Sequence, residues 1–104
     1  MTYRGIFDAK ITDIPVSVTF SFSFDLAAGE TLSSASIAAT VYSGTDATPS
    51  AILSGAPAIS GGQVTQLIID GAEGVTYLLT CTATTSAAET LTREGYLVIS
   101  PVLL

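Results

Sequence analysis

The first residue to consider for chemistry is the single cysteine. Cys81 has no possible disulfide partner within the chain, and the sequence contains no histidine. A catalytic thiol needs a lowered pKa and a nearby base. Cys81 alternates with Tyr77 and Leu79 along one run. We therefore expect it to pack in the core, where free cysteines commonly lie.

The nine carboxylates are the other groups with chemical potential. Asp70 and Glu73 share a glycine-bearing turn, but glycosidases need two carboxylates held across a cleft. Calcium needs several closely spaced oxygen ligands, and zinc needs histidine or several cysteines. The acidic residues are dispersed along the chain. The sequence therefore predicts no catalytic residue, no metal site and no cofactor.

Glycine-rich segments raise the question of a phosphate loop. Gly61 and Gly62 are adjacent, and Gly71 precedes Gly74 by three positions. A phosphate loop would need a following lysine and the start of a helix, and neither is present in the pattern. These glycines are typical of turns that require a positive φ.

The elements that position these residues are indicated by strict alternation. Val16, Val18, Phe20, Phe22 and Phe24 are separated by single Ser or Thr residues. Successive side chains of a strand point to opposite faces, so the run predicts one long half-buried strand that extends to Leu26.

Further alternating runs follow, with turn residues between them. The predicted strands after the first long one are 34–42, 51–53, 64–69, 75–84 and 90–100. A short apolar stretch at 3–7 is either an N-terminal edge strand or an arm that reaches a neighbouring subunit. The spacing predicts an all-β, immunoglobulin-like two-sheet sandwich of about seven antiparallel strands. A small closed barrel is the alternative.

Length and composition narrow the functional classes. The 104 residues predict a single domain over 1–104, with 1–13 as a possible N-terminal arm or edge strand. Charged residues make up 12%, about half the usual share, which suits a subunit packed against neighbours. A net charge of −6 with three cations excludes nucleic acid as a partner and disfavours anionic membranes.

Residues 1–10 show no signal peptide, and no apolar run approaches the ~20 residues that a spanning helix needs.

Two sets of motifs occur in a fixed order. A leucine and a turn lead into G-[DE]-[ST]-[IL]; later G-x-x-G-x-x-Y leads into a threonine-rich strand. The matching residues are Leu26, Gly29, Glu30, Thr31, Leu32, Gly71, Gly74, Tyr77, Thr82, Thr84, Thr85 and Ser86. Because these motifs occur in this order, the chain resembles the fiber-tail adaptor proteins over roughly residues 14–100. These are a family of small tailed-phage virion proteins with an immunoglobulin-like sandwich. The resemblance implies a structural role between tail or capsid and fibers, and no enzymatic activity.

We therefore expect a structural virion protein of a tailed bacteriophage, which links the tail or its adaptor ring to fibers. Its partners would be other phage structural proteins in a symmetric multi-copy assembly, reached after synthesis in the host cytoplasm. A capsid decoration protein of the same fold and a free carbohydrate-binding sandwich remain alternatives. The candidate contact residues are Tyr3, Arg4, Phe7 and Tyr42, because they are aromatic or Arg at positions we expect to be exposed.

Overall fold

The computed structural model of the chain describes the backbone of residues 2–6, 10–11 and 14–100, and the side chains of 14–99 except Phe24. Within these ranges all long elements are strands. They are β1 (Thr2–Ile6), β2 (Lys10–Ile11), β3 (Val16–Ser21), β4 (Leu32–Ser43), β5 (Leu53–Ser60), β6 (Gln63–Ile68), β7 (Thr76–Thr85) and β8 (Thr90–Ser100). Two single 3-10 turns, Ser23–Asp25 and Pro49–Ile52, interrupt them.

The strands form two sheets. The larger sheet has the order β1-β8-β7-β4, with β2 also paired to β8, and the smaller has the order β3-β6-β5. Neighbours run antiparallel, except that β1 and β2 run parallel to β8. Immunoglobulin sandwiches divide their strands between two sheets in this way. The predicted all-β two-sheet sandwich is therefore confirmed, and the two open sheets differ from a closed barrel.

A single core lies between the sheets. Strand β7 supplies its centre, because every second side chain points inward with no exposed area: Tyr77, Leu79, Cys81 and Ala83. The other fully or nearly buried hydrophobic residues are Val18, Phe20, Phe22, Leu32, Ala39, Ile52, Val64, Ile68, Val75, Leu97 and Ile99. The prediction that Cys81 is a core residue is confirmed.

The predicted long strand to Leu26 is wrong in its length. Strand β3 ends at Ser21, where the guanidinium Nε of Arg93 donates to the Ser21 carbonyl at 3.1 Å. The Phe22 N–H donates to the Gly62 carbonyl at 2.8 Å, and the chain then turns through the 3-10 turn at Ser23–Asp25. Phe22 is still fully buried. The apolar alternation thus continues past the point where the strand geometry stops.

The predicted short strand at 51–53 is also wrong. Residues Pro49–Ile52 form a 3-10 turn, and the strand that follows, β5, runs through Gly55 and Pro57 to Ser60. The pairing with β6 is irregular between Ser54 and Ala58. The buried amide of Gln66 donates to the carbonyls of Ser54 and Gly55 at 3.1 and 3.2 Å. The Gln66 side chain thus bonds two carbonyls beside the irregularity. Strand β5 tolerates Pro57, which has no N–H to donate, because β5 lies at the edge of the smaller sheet and its pairing is irregular there.

Candidate functional site

An aromatic pair lies on the outward face of the larger sheet, with one ring exposed and the other half-buried. Tyr42, at the end of β4, is 64% exposed, and its ring centroid is 4.6 Å from that of Tyr96 on β8, edge-on. Leu78 of β7 is the register partner of Tyr96, and Val98 follows on the same face of β8. We call Tyr42, Leu78, Tyr96 and Val98 the tyrosine patch. Tyr42 and Val98 are exposed, whereas Leu78 and Tyr96 are half-buried. Outward-facing aromatic and aliphatic side chains of this kind are typical of protein-binding surfaces.

The four predicted contact residues are placed differently. Tyr42 is exposed, as expected. The backbone of Tyr3 and Arg4 lies in β1, at the edge of the larger sheet, in register with Arg93 and Glu94 of β8. Phe7 lies outside the described residues. Strand β1 thus lies beside β8, the strand that contributes Tyr96 to the tyrosine patch.

The motif that contains Glu30 forms one end of the sandwich, together with the turn between β7 and β8. The Ser86 N–H donates to the Thr31 carbonyl at 2.7 Å, and the Thr31 N–H donates to the Ser86 hydroxyl at 3.0 Å. The Thr85 hydroxyl accepts the N–H groups of Ala87 and Glu89, each at 3.2 Å. Thr31 and Ser86 are 55 positions apart and cross-link two loops, so this part of the motif stabilises the fold.

A carboxyl pair at the same end was not predicted from the sequence. Glu30 accepts the Ala27 N–H at 2.8 Å, and this bond, with the Thr85 hydroxyl, lowers the pKa of Glu30. Hydrogen bonding to Glu30 and repulsion by its charge raise the pKa of Glu89. The two groups lie 59 positions apart in sequence, numbered 30 and 89, so no local motif could reveal them. Glu89 therefore takes up a proton at a higher pH than an isolated glutamate, and Glu30 at a lower one.

The G-x-x-G-x-x-Y motif builds the opposite end. Gly71 has φ +103°, and a Cβ at this position would lie 2.9 Å from the Ile99 side chain, so glycine is required. The hydroxyl of the fully buried Tyr77 accepts the Ala72 N–H at 2.9 Å and donates to the Asp46 carboxylate at 2.5 Å. A tyrosine that bonds back to the backbone before its strand is the tyrosine corner of immunoglobulin-like sandwiches.

The Asp46 carboxylate joins a second loop to this corner. It also accepts the Thr48 N–H at 2.9 Å. The hydrogen bonds from Tyr77 and Thr48 lower the pKa of Asp46, and burial raises the pKa of Tyr77. The loop between β4 and β5 and the loop between β6 and β7 are therefore held by one hydroxyl.

Arg93 connects the two sheets near the Glu30 end. Its Nη2 lies 2.5 Å from the Asp25 carboxylate, and its guanidinium lies 5.6 Å from the centre of the Phe22 ring. Among the side chains that the structure describes, Arg93 is the sole cationic one. The described surface is otherwise neutral or acidic.

The residues considered for catalysis are not assembled into a reactive site in the described part of the chain. Burial raises the pKa of Cys81 to about 11, which keeps the thiol protonated and inert. Asp70 and Glu73 lie on an exposed turn. Within residues 2–6, 10–11 and 14–100, no three His, Cys, Asp or Glu residues are grouped closely enough to hold a metal ion. The same residues contain no helix that is long and apolar enough to cross a bilayer.

The fold, the cross-linked ends and the exposed apolar patch define the class of structural β-sandwich modules. A family model described as the podophage GP4 fiber-tail adaptor protein gp77 matches residues 12–98. Because this match covers most of the chain, the protein belongs to that family of phage structural adaptor proteins. The resemblance seen in the sequence is confirmed. A search of curated proteins returned no match.

Proposed function

We propose that this protein is a structural component of the virion that links the phage tail, or its adaptor ring, to the fibers. The observation that supports this role is the match to the fiber-tail adaptor family over residues 12–98. The chain would act as one sandwich domain over 1–104, present in several symmetric copies and bound to tail and fiber subunits. It would catalyse no reaction.

The mechanism is geometric. Two loops are fixed at one end by Tyr77 and two at the other by Ser86 and Thr31, so the sandwich holds its surfaces in a constant relation. A rigid module loses little conformational entropy when it binds, which favours stable attachment. Its affinity would come from apolar contacts and strand edges, because the described surface has few cations.

We propose that the tyrosine patch and the strand beside β8 contact a partner subunit through Tyr3, Arg4, Phe7 and Tyr42. The test is a quadruple alanine variant, with Leu67→Ala as the control. Leu67 is 42% exposed on the outward face of the smaller sheet, so the control removes a comparable apolar side chain from the other face. Loss of the quadruple variant from particles, with normal incorporation of the control, is expected. Normal incorporation of both would contradict this assignment.

Copy number tests the location. Quantitative mass spectrometry of purified particles should give a small multiple of the rotational symmetry of the tail. Hundreds of copies per particle would instead indicate decoration of the capsid. Absence from particles would contradict a virion role altogether.

A further inference from the structure

Strand β4 is an edge strand without the features that usually protect an edge. It lies at the end of the order β1-β8-β7-β4, and its 12 residues include no charged residue, proline or glycine. Irregularities occur only near its two ends, which leaves a regular ladder to β7 over Ser34–Val41. Natural sheets protect long edges with charge, proline or bulges, because every second residue offers an unpaired N–H and C=O.

The other edge strands are protected or short. Strand β5 contains Gly55 and Pro57 and an irregular pairing. Strand β3 has six residues and follows Pro15, and β1 has five residues. Among the described backbone groups, no hydrogen bond from a loop reaches residues Ser34–Val41 on their open side. Strand β5 and the 3-10 turn at Pro49–Ile52 pack near β4 from the smaller sheet, but none of the described loop hydrogen bonds reaches its outer edge. Among the described edge strands, β4 is therefore the longest that has no charged residue, proline or glycine.

The core is also incomplete beside β4. The inward side chains of β7 have no exposed area, whereas three inward side chains of β4 are only half-buried: Ala35, Ile37 and Val41. A strand added to this edge would cover them if it had apolar residues on the same face. Its other face would lie beside Ser34, Ser36 and Ala38, which are small and exposed.

Strand β4 itself has the required pattern. Rotation by half a turn about an axis perpendicular to the sheet pairs β4 antiparallel with its copy and keeps the inward face of both strands on the same side. Since side chains alternate with a period of two, Ala38 must then lie opposite Ser36, Ala38 or Thr40 of the copy. These side chains are small, and no charged residue of β4 would meet a like charge within the pairing.

We propose that the outer edge of β4, over Ser34–Val41, pairs antiparallel with the same edge of a second copy of this chain, so that the two larger sheets become continuous. The pairing deepens the multi-copy assembly in the proposed function by naming the surface that would join two copies.

The net charge of −6 on each copy opposes this association in dilute salt. Glu30 and Asp46, which flank β4 in sequence, add negative charge near the two ends of the paired edges. Salt screens such repulsion, so a higher sodium chloride concentration should strengthen the dimer. A contact made of ion pairs would weaken instead, and that result would contradict pairing through an uncharged edge.

The test measures the mass of the full chain by analytical ultracentrifugation as its concentration rises from micromolar to millimolar. The mass should double from the monomer value of 10.6 kDa. Ala38→Lys should reduce the association constant about fivefold or more, because it places a lysine at the centre of the pairing. Thr80→Lys is the matched control, since Thr80 is the register partner of Ala38 on the interior strand β7. The control should dimerise like the unmodified chain.

A mixture of Ala38→Lys and Ala38→Glu chains identifies the partner surface. Each variant alone should associate about fivefold or more weakly than the unmodified chain, and the mixture should associate more tightly than either variant alone, because opposite charges then meet across the paired edges. A monomeric wild-type chain, an equal loss in Thr80→Lys, or a mixture that associates no more tightly than the separate variants would overturn the proposal. Failure of the proposed adaptor role is distinguishable, because it would appear as absence from particles whatever the mass in solution.

Discussion

Removing one hydroxyl from the core should uncouple two loops of the sandwich. Tyr77→Phe retains the buried ring but deletes the acceptor of the Ala72 N–H, at 2.9 Å, and the donor to Asp46, at 2.5 Å. Loss of a partner that leaves a polar group unsatisfied costs about 1–3 kcal/mol. For a domain of this size, that corresponds to a decrease of about 5–20 °C in the melting temperature.

Equilibrium unfolding in urea, followed by circular dichroism, measures this change. Tyr42→Phe is the control, because it deletes the same hydroxyl from a side chain that is 64% exposed. Its free energy of unfolding should stay within about 0.5 kcal/mol of the unmodified protein. If Tyr77→Phe were as stable as Tyr42→Phe, the hydroxyl would not hold the two loops together.

The pH dependence provides a second check on the same bond. The hydrogen bonds from Tyr77 and Thr48 lower the pKa of Asp46 in the folded state. Asp46 therefore contributes stability above its unfolded pKa of about 4, and this contribution is lost as the pH falls through the folded value. Tyr77→Phe should reduce the difference in stability between neutral and acidic solution. An unchanged pH dependence would contradict the assigned cause of the shift.

Three further predictions concern other groups. Glu89→Gln should raise the melting temperature at pH 7 but not at pH 4, because Glu30 raises the pKa of Glu89 and the two carboxylates repel each other in neutral solution. The control Glu73→Gln removes the same charge from an exposed turn and should raise the melting temperature less. An equal gain in both variants would contradict the pairing of Glu30 with Glu89. The Cys81 thiol should react with a disulfide reagent only when the chain unfolds, because the thiol is fully buried and its pKa is raised to about 11. Rapid labelling of the folded protein would contradict the burial of this thiol. Arg93→Lys should lower the free energy of unfolding, because one ammonium group cannot reproduce the two contacts that the guanidinium makes with Ser21 and Asp25. Unchanged stability would show that these contacts are dispensable.

Much of the fold could be predicted from alternation. The run from Val75 to Ala83 places its odd positions in the core, and Gln66 shares the buried face of Val64 and Ile68. Period-two patterning reports which face is buried, so it works wherever the backbone stays extended.

The same signal fails where burial continues without a strand. Phe22 is buried at the entrance to a 3-10 turn, so alternation alone overestimates the length of β3. Pro57 indicates the end of a strand, yet β5 continues through it because β5 lies at a sheet edge with irregular pairing. The position of a strand at the edge of a sheet depends on long-range pairing, which leaves no local trace in a sequence.

The candidate surface was partly predictable. Tyr42 was expected to be exposed, and it is. Tyr96 and Val98 were not singled out, although the parity of Leu97 and Ile99 on the core face indicates that both point outward. The contact between the Tyr42 and Tyr96 rings depends on the strand order β8-β7-β4, which alternation does not specify.

The most direct test of the adaptor role is electron microscopy of particles assembled without this chain. Such particles should have complete heads and tails but no attached fibers. Supply of the chain from a plasmid should restore the fibers, and the quadruple variant at Tyr3, Arg4, Phe7 and Tyr42 should not. Fibers attached at normal occupancy in the absence of the chain would contradict a role as the link between tail and fibers.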